Sequence, residues 1–121
     1  MATLRYLVRD VDAAAAFYVE HLGFTLERCW GPPFAIVARG GLQLWLSGPG
    51  SSAMRPLADG GQPAPGGWSR LVIEVADLAG LVARLDAAGI RRRSDVVSGP
   101  GGSQVLVDDP SGNPVELFQP G

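Results

Sequence analysis

The sequence contains no lysine; its ten basic residues are all Arg. Schiff-base chemistry and a lysine general base are therefore excluded. A single cysteine, Cys29, cannot close an intrachain disulfide. A single histidine, His21, cannot build a His-rich metal site, and its place in a helical stretch argues against a Ser–His–Asp triad. Charge is sparse at 18% of residues, against 46% hydrophobic, which is too apolar for an intrinsically disordered chain. Neither sign dominates: ten basic and twelve acidic residues leave a net charge of −2, with no electrostatic footprint for nucleic acid or an anionic membrane. A basic-then-apolar leader pattern is missing, and no apolar run is long enough to span a bilayer, so a cytoplasmic protein is expected. What remains is a chain of 121 residues, the size of one domain. A chain of that size buries roughly two-thirds of its unfolded surface and needs no structural metal.

The chain repeats itself. Thr3-Leu4-Arg5-Tyr6-Leu7-Val8-Arg9-Asp10 and Arg70-Leu71-Val72-Ile73-Glu74-Val75-Ala76-Asp77 are strand-like runs that end on an Asp suited to cap a helix. Ala14, Phe17, Tyr18 and Leu22 then follow at helical spacing up to Gly23, and Leu78, Leu81, Val82 and Leu85 up to Gly89. Each helix precedes three strand-like runs. They are Phe24–Trp30, Phe34–Arg39 and Leu42–Leu46 in the first half, then Arg91–Val97, Ser103–Asp108 and Val115–Gln119 in the second. Gly31-Pro32-Pro33, Gly40-Gly41, Gly99-Pro100-Gly101-Gly102 and Pro110–Pro114 read as turns. The pattern is βαβββ twice. It predicts one α+β domain over 1–121, with a first module at 1–46, a linker at 47–67 and a second module at 68–121. In the linker, 13 of 21 residues are Gly, Pro or Ser.

Strand parity separates two kinds of face. Leu4, Tyr6 and Val8, like Leu71, Ile73 and Val75, form apolar faces that need the helices as cover. The opposite faces collect Thr3, Arg5, Leu7, Gln43, Trp45, Arg70, Val72, Glu74, Glu116 and Phe118. Two aromatics, a few aliphatics and several polar groups are the make-up of a small-molecule site. The competing reading is that Arg5, Arg70, Glu74 and Glu116 form ion pairs on a solvated sheet. Trp45 and Phe118, which read as equivalent in the two repeats, favour the binding reading for the set.

Val8-Arg9-Asp10, Phe17-Tyr18 and Leu22-Gly23-Phe24, with Asp109-Pro110-Ser111-Gly112-Asn113-Pro114-Val115-Glu116-Leu117 near the end, resemble the vicinal-oxygen-chelate superfamily of glyoxalases, bleomycin-resistance proteins and dioxygenases. The resemblance implies paired βαβββ modules that form a U-shaped sheet around a cavity, commonly in homodimers. It also implies that metalloenzymes of this kind place ligands at the positions held here by Thr3, Gln43, Arg70 and Glu116. Only Glu116 is a good ligand for a divalent cation, and Arg70 is always cationic with no lone pair to donate. The expectation is therefore no metal and no cofactor.

The chain then resembles the metal-free, bleomycin-resistance-like branch. It is expected to be a homodimer that sequesters an aromatic or polyfunctional metabolite or antibiotic. Its binding residues would be Thr3, Arg5, Leu7, Gln43, Trp45, Arg70, Val72, Glu116 and Phe118, with Arg70 anchoring an anionic group. Two enzyme readings stay open: a metal-independent isomerase, epimerase or lyase with Glu116 as general acid/base, and a degenerate metalloenzyme using Glu116 and Gln43. Trp30, Phe34 and Trp68 suit either a cavity rim or a subunit contact. Cys29 reads as core or inert surface, and His21 as complementing a helix C-terminus. Alternation should split Arg91, Arg92 and Arg93 between two faces.

Overall fold

Both capping aspartates act as the repeat predicts. Asp10 Oδ1 accepts from Ala13 N–H at 3.1 Å and starts helix α1 (Val11–Leu22). Asp77 Oδ1 accepts from Gly80 N–H at 3.0 Å and starts α2 (Leu78–Ala87). A free helix N-terminus carries unpaired N–H groups, and a side-chain acceptor there contributes about 1 kcal/mol. Gly23 ends α1 in the left-handed region at φ 73°, its N–H bonded to Tyr18 O. The computed structural model describes residues 1–121. They fall into two compact units, Met1–Gly66 with Pro110–Asn113, and Gly67–Asp109 with Pro114–Gly121.

In the first unit, β1 (Ala2–Leu7), β2 (Thr25–Cys29), β3 (Phe34–Arg39) and β4 (Leu42–Ser47) form one sheet in the order β1-β4-β3-β2. β4 runs parallel to β1 and antiparallel to β3. Helix α1 packs on β3 and β4. Tyr6, Ala35, Val37, Leu44 and Leu46 are buried with Val11, Ala14, Phe17, Tyr18 and Leu22 of the helix. Each fully buried Leu contributes roughly 1.5–3 kcal/mol, so this layer is the unit's main stabiliser. Tyr18 meets Phe17 edge-to-face at 5.0 Å within the helix, and meets Phe24, just before β2, at 5.3 Å, which ties the helix end to the chain that follows it.

The start of the expected linker is in fact built structure. Ser47 is the last residue of β4 and is fully buried. A Cβ on Gly48 would lie 2.6 Å from Val11 Cγ2 and 3.0 Å from Pro32 O, so only glycine fits between helix and loop. Gly48 N–H bonds Pro33 O, Ser51 bonds back to Gly48 O, and Ser52–Met54 form one 3₁₀ turn. The Pro110–Asn113 turn is also held in this unit. Ser111 Oγ accepts from Arg9 N–H, and the Asn113 carboxamide donates to Leu7 O at 2.7 Å and accepts from Gly66 N–H at 2.8 Å.

In the second unit, β5 (Leu71–Glu74), β6 (Val97–Gly99), β7 (Gly102–Asp108) and β8 (Pro114–Pro120) take the matching order β5-β8-β7-β6. Leu71, Ile73, Val105, Val107, Val115 and Leu117 are buried together with Leu78, Leu81 and Leu85 of α2. Gln119 Oε1 adds a second cap by accepting from Leu78 N–H at 2.8 Å. The expected strand over Arg91–Val97 is not formed. Residues 91–93 make a single isolated bridge, Arg92 to Val107. The Ser94 hydroxyl then takes Leu106 N–H in place of a backbone carbonyl, and the ladder stops. Pairing resumes only at Val97–Gly99, and the turn is Pro100-Gly101 alone, with Gly99 and Gly102 inside strands. The three consecutive arginines do alternate: Arg91 and Arg93 face Asp108, while Arg92 pairs with Asp86 of α2.

Candidate ligand-binding site

Register shows which side chains share a level on each sheet. In the first unit, Thr3 pairs with Gln43, Arg5 with Trp45 and Leu7 with Ser47, all on the face away from the buried layer. β3 adds Ala38, Ile36 and Phe34 at the same three levels. β2 carries a bulge between Leu26 and Arg28. That extra residue puts both Thr25 and Arg28 on the open face, where strict alternation would have separated them. Trp30 continues the row, its N–H bonded to Phe34 O.

These side chains interact rather than standing singly. The Arg5 guanidinium carbon lies 5.1 Å from the Trp45 ring centroid and 6.0 Å from that of Phe34. Arg5 Nη1 donates to Ser47 Oγ at 3.0 Å. Phe34 meets Trp45 edge-on at 5.7 Å, and Trp30 lies 5.3 Å from Phe34. Trp45 Nε1 donates to Gln43 Oε1 at 3.4 Å, which orients the indole. Arg5 has no carboxylate partner, so its charge is balanced only by ring faces, a hydroxyl and solvent. A cation over aromatic faces gains about 0.5–2 kcal/mol and keeps its remaining N–H groups for an incoming anion. Thr3, Arg5, Leu7, Gln43 and Trp45, all singled out in the sequence, thus share one face. Ser47, Phe34, Ile36 and Arg28 complete it. Sequence reasoning places Ser47 in the linker and Phe34 at either a cavity rim or a subunit contact, and the bulge that turns Arg28 has no sequence signature.

In the second unit, Val72 and Glu116 are register partners, as are Glu74 and Phe118. Leu106 stands level with Glu116 and Gln104 with Phe118. Arg70 precedes β5 and reaches diagonally to Glu116, its Nε and Nη2 donating to the same Oε1 at 3.1 and 3.0 Å. Glu116 Oε2 is left without a hydrogen bond, on a side chain 12% exposed. This register corrects the expected equivalence of Trp45 and Phe118. Val8 N–H bonds Ser47 O and Val75 N–H bonds Phe118 O, so Phe118 matches Ser47 and Glu116 matches Trp45. A slip of two residues preserves the face while changing the level, and parity alone cannot detect it.

The four positions that the resemblance gives to metal ligands do not suit a divalent cation. They offer a hydroxyl, a carboxamide bonded to Trp45, a guanidinium and one carboxylate already bonded to that guanidinium. The register also corrects Gln43 to Trp45 as the counterpart of Glu116, an indole with no lone pair for a metal. No group of three or more His, Cys, Asp or Glu side chains is arranged to hold a metal ion. Elsewhere, Trp68 lies beneath Arg93, whose guanidinium carbon is 4.7 Å from the ring. His21 sits in the last turn of α1 against Phe17, and Cys29 is an exposed free thiol on β2.

Comparison with known proteins agrees with this architecture. TnmS3, an antibiotic-binding protein from a Streptomyces species, is 26% identical, with 98% of this chain and 93% of that one aligned at a TM-score of 0.72. A superfamily member from Sphaerobacter thermophilus is 25% identical over 98% and 95% of the two chains, at a TM-score of 0.76. A lactoylglutathione lyase from Agrobacterium tumefaciens, 24% identical over 98% and 92%, shares the fold at a TM-score of 0.74. No curated protein sequence matches. No helix is long and apolar enough to cross a membrane. The family model described as the Glyoxalase/Bleomycin resistance protein/Dioxygenase superfamily matches residues 1–117, and with the βαβββ repeat and strand order in place, the chain belongs to that superfamily.

Proposed function

We propose that the protein binds and sequesters an anionic aromatic small molecule, such as a metabolite or antibiotic, without a metal, as a cytoplasmic homodimer. One observation carries this reading: Arg5, free of any carboxylate, lies against Trp45 and Phe34 with the Ser47 hydroxyl beside it. A planar ring stacks on Trp45, and its carboxylate, enolate or phenolate bonds Arg5. Stacking contributes about 0.5–1.5 kcal/mol beyond area burial, and a charge-assisted hydrogen bond about 1.5–3 kcal/mol. The anchoring role expected of Arg70 passes to Arg5, because Arg70 is already neutralised by Glu116. Thr3, Leu7 and Gln43 line the same sheet face, while Val72, Glu116 and Phe118 are the candidates on the second sheet. The 26% identity to TnmS3, named as an antibiotic-binding protein, supports a small-molecule-binding role.

Titration with naphthoate tests the proposal. Tryptophan fluorescence should be quenched on binding. Arg5→Gln should weaken binding by about tenfold or more, as loss of about 1.5–3 kcal/mol implies. Mass spectrometry should recover the probe unchanged. Equal affinity in Arg5→Gln contradicts the reading. A second reading rests on the free Glu116 Oε2, which suits a general base in a metal-independent isomerase or lyase. Chemical change of a bound ligand, abolished in Glu116→Gln, would favour it instead.

A further inference from the structure

The proposed binding face carries a second arginine, and the role inferred for it rests on that proposal. The Arg28 guanidinium carbon lies 5.6 Å from the Trp30 ring centroid, Trp30 is 5.3 Å from Phe34, and Phe34 is 5.7 Å from Trp45, which Arg5 covers at 5.1 Å. These contacts form an unbroken line from one edge strand, β2, to the other, β1, with a cation at each end and three rings between. The row Arg28–Ile36–Trp45–Arg5 crosses three gaps between strands, which sets the two arginine backbones about 14 Å apart. Arg28, like Arg5, makes no ion pair in the chain. The bulge after Leu26 puts Arg28 on this face, and without it the side chain would project from the opposite side.

A single anionic group would use only one end of this arrangement. We infer that the ligand class is a planar aromatic molecule with an anionic group at each end, held by Arg5 and Arg28 across the aromatic row. Two guanidiniums separated by rings discriminate by length as well as by charge, since a ligand must reach both cations while its ring system lies on Trp45 and Phe34.

Isothermal titration of the full-length protein with three anthracene probes tests this. One probe carries carboxylates at opposite ends, one a single carboxylate, and one two carboxamides at the dicarboxylate positions. The dicarboxylate should bind about tenfold or more tighter than the monocarboxylate, because a second charge-assisted contact is added within one complex. Arg28→Gln should bring the dicarboxylate down to the level of the monocarboxylate, and Arg28→Lys should restore part of the difference. Equal affinity of the two acids for the wild type overturns the two-anchor inference and leaves the Arg5 reading standing. A preference for the dicarboxylate that survives in Arg28→Gln does the same. A dicarboxamide that binds as well as either acid, or failure of all three to bind, overturns the Arg5 reading and the inference together.

Discussion

Two guanidinium–carboxylate pairs in the second unit differ in what surrounds them, and their energetics should differ accordingly. Asp108 is 8% exposed and takes Arg93 Nε at 2.5 Å and Arg91 Nε at 3.7 Å, while Arg93 also donates to Gly67 O at 2.7 Å. Removing the carboxylate strands a largely covered guanidinium, so Asp108→Ala should cost about 3 kcal/mol. Arg70 is 32% exposed and holds Glu116 through a single oxygen. Such a pair is worth roughly 0–1 kcal/mol, so Arg70→Ala should leave the urea midpoint nearly unchanged. Denaturant unfolding of the two variants checks the ordering, and an Arg70→Ala loss as large as that of Asp108→Ala would contradict it. The same comparison separates Arg5 from Arg70. One guanidinium faces aromatic rings with no counter-charge, the other has its carboxylate in place. Residue type alone, one arginine on β1 and one just before β5, cannot reveal that difference, because it depends on which acid reaches which base.

At the level of elements, capping and parity are readable in the sequence and register is not. Asp10, Asp77, Gly23 and Gly89 mark the helices because a cap is a local requirement set by one or two residues. The buried faces follow from alternation for the same reason. The bulge in β2, the two-residue slip of β8 and the break at Ser94 are set by how each strand meets its partner, not by the strand's own residue pattern. A hydroxyl that displaces a carbonyl leaves no periodic trace. Two substitutions test this division. Asp10→Ala removes one cap and should cost about 1 kcal/mol. Gly102→Ala should cost more, about 2 kcal/mol or above, since φ there is +146° and the new Cβ would fall 2.1 Å from Gln119 O. Thermal unfolding orders the pair, and a Gly102→Ala protein as stable as wild type would mean that β7 and β8 approach less closely there.

At the level of the whole molecule, each four-stranded sheet ends in open edges: β1 and β2 in one, β5 and β6 in the other. All five residues of β2 are exposed. Open edges favour pairing with another chain, which is the physical motive for the proposed homodimer. Sedimentation at micromolar concentration should show twice the chain mass of 12.6 kDa. A single species at the chain mass would contradict the homodimer. The central claim concerns the first sheet's open face, and a crystal structure of the protein with an aromatic carboxylate bound tests it most directly. The carboxylate should lie within hydrogen-bond reach of the Arg5 guanidinium, with the ring against Trp45 and Phe34. A ligand seated with its carboxylate on Arg70, or with Arg5 and Trp45 untouched, would contradict it.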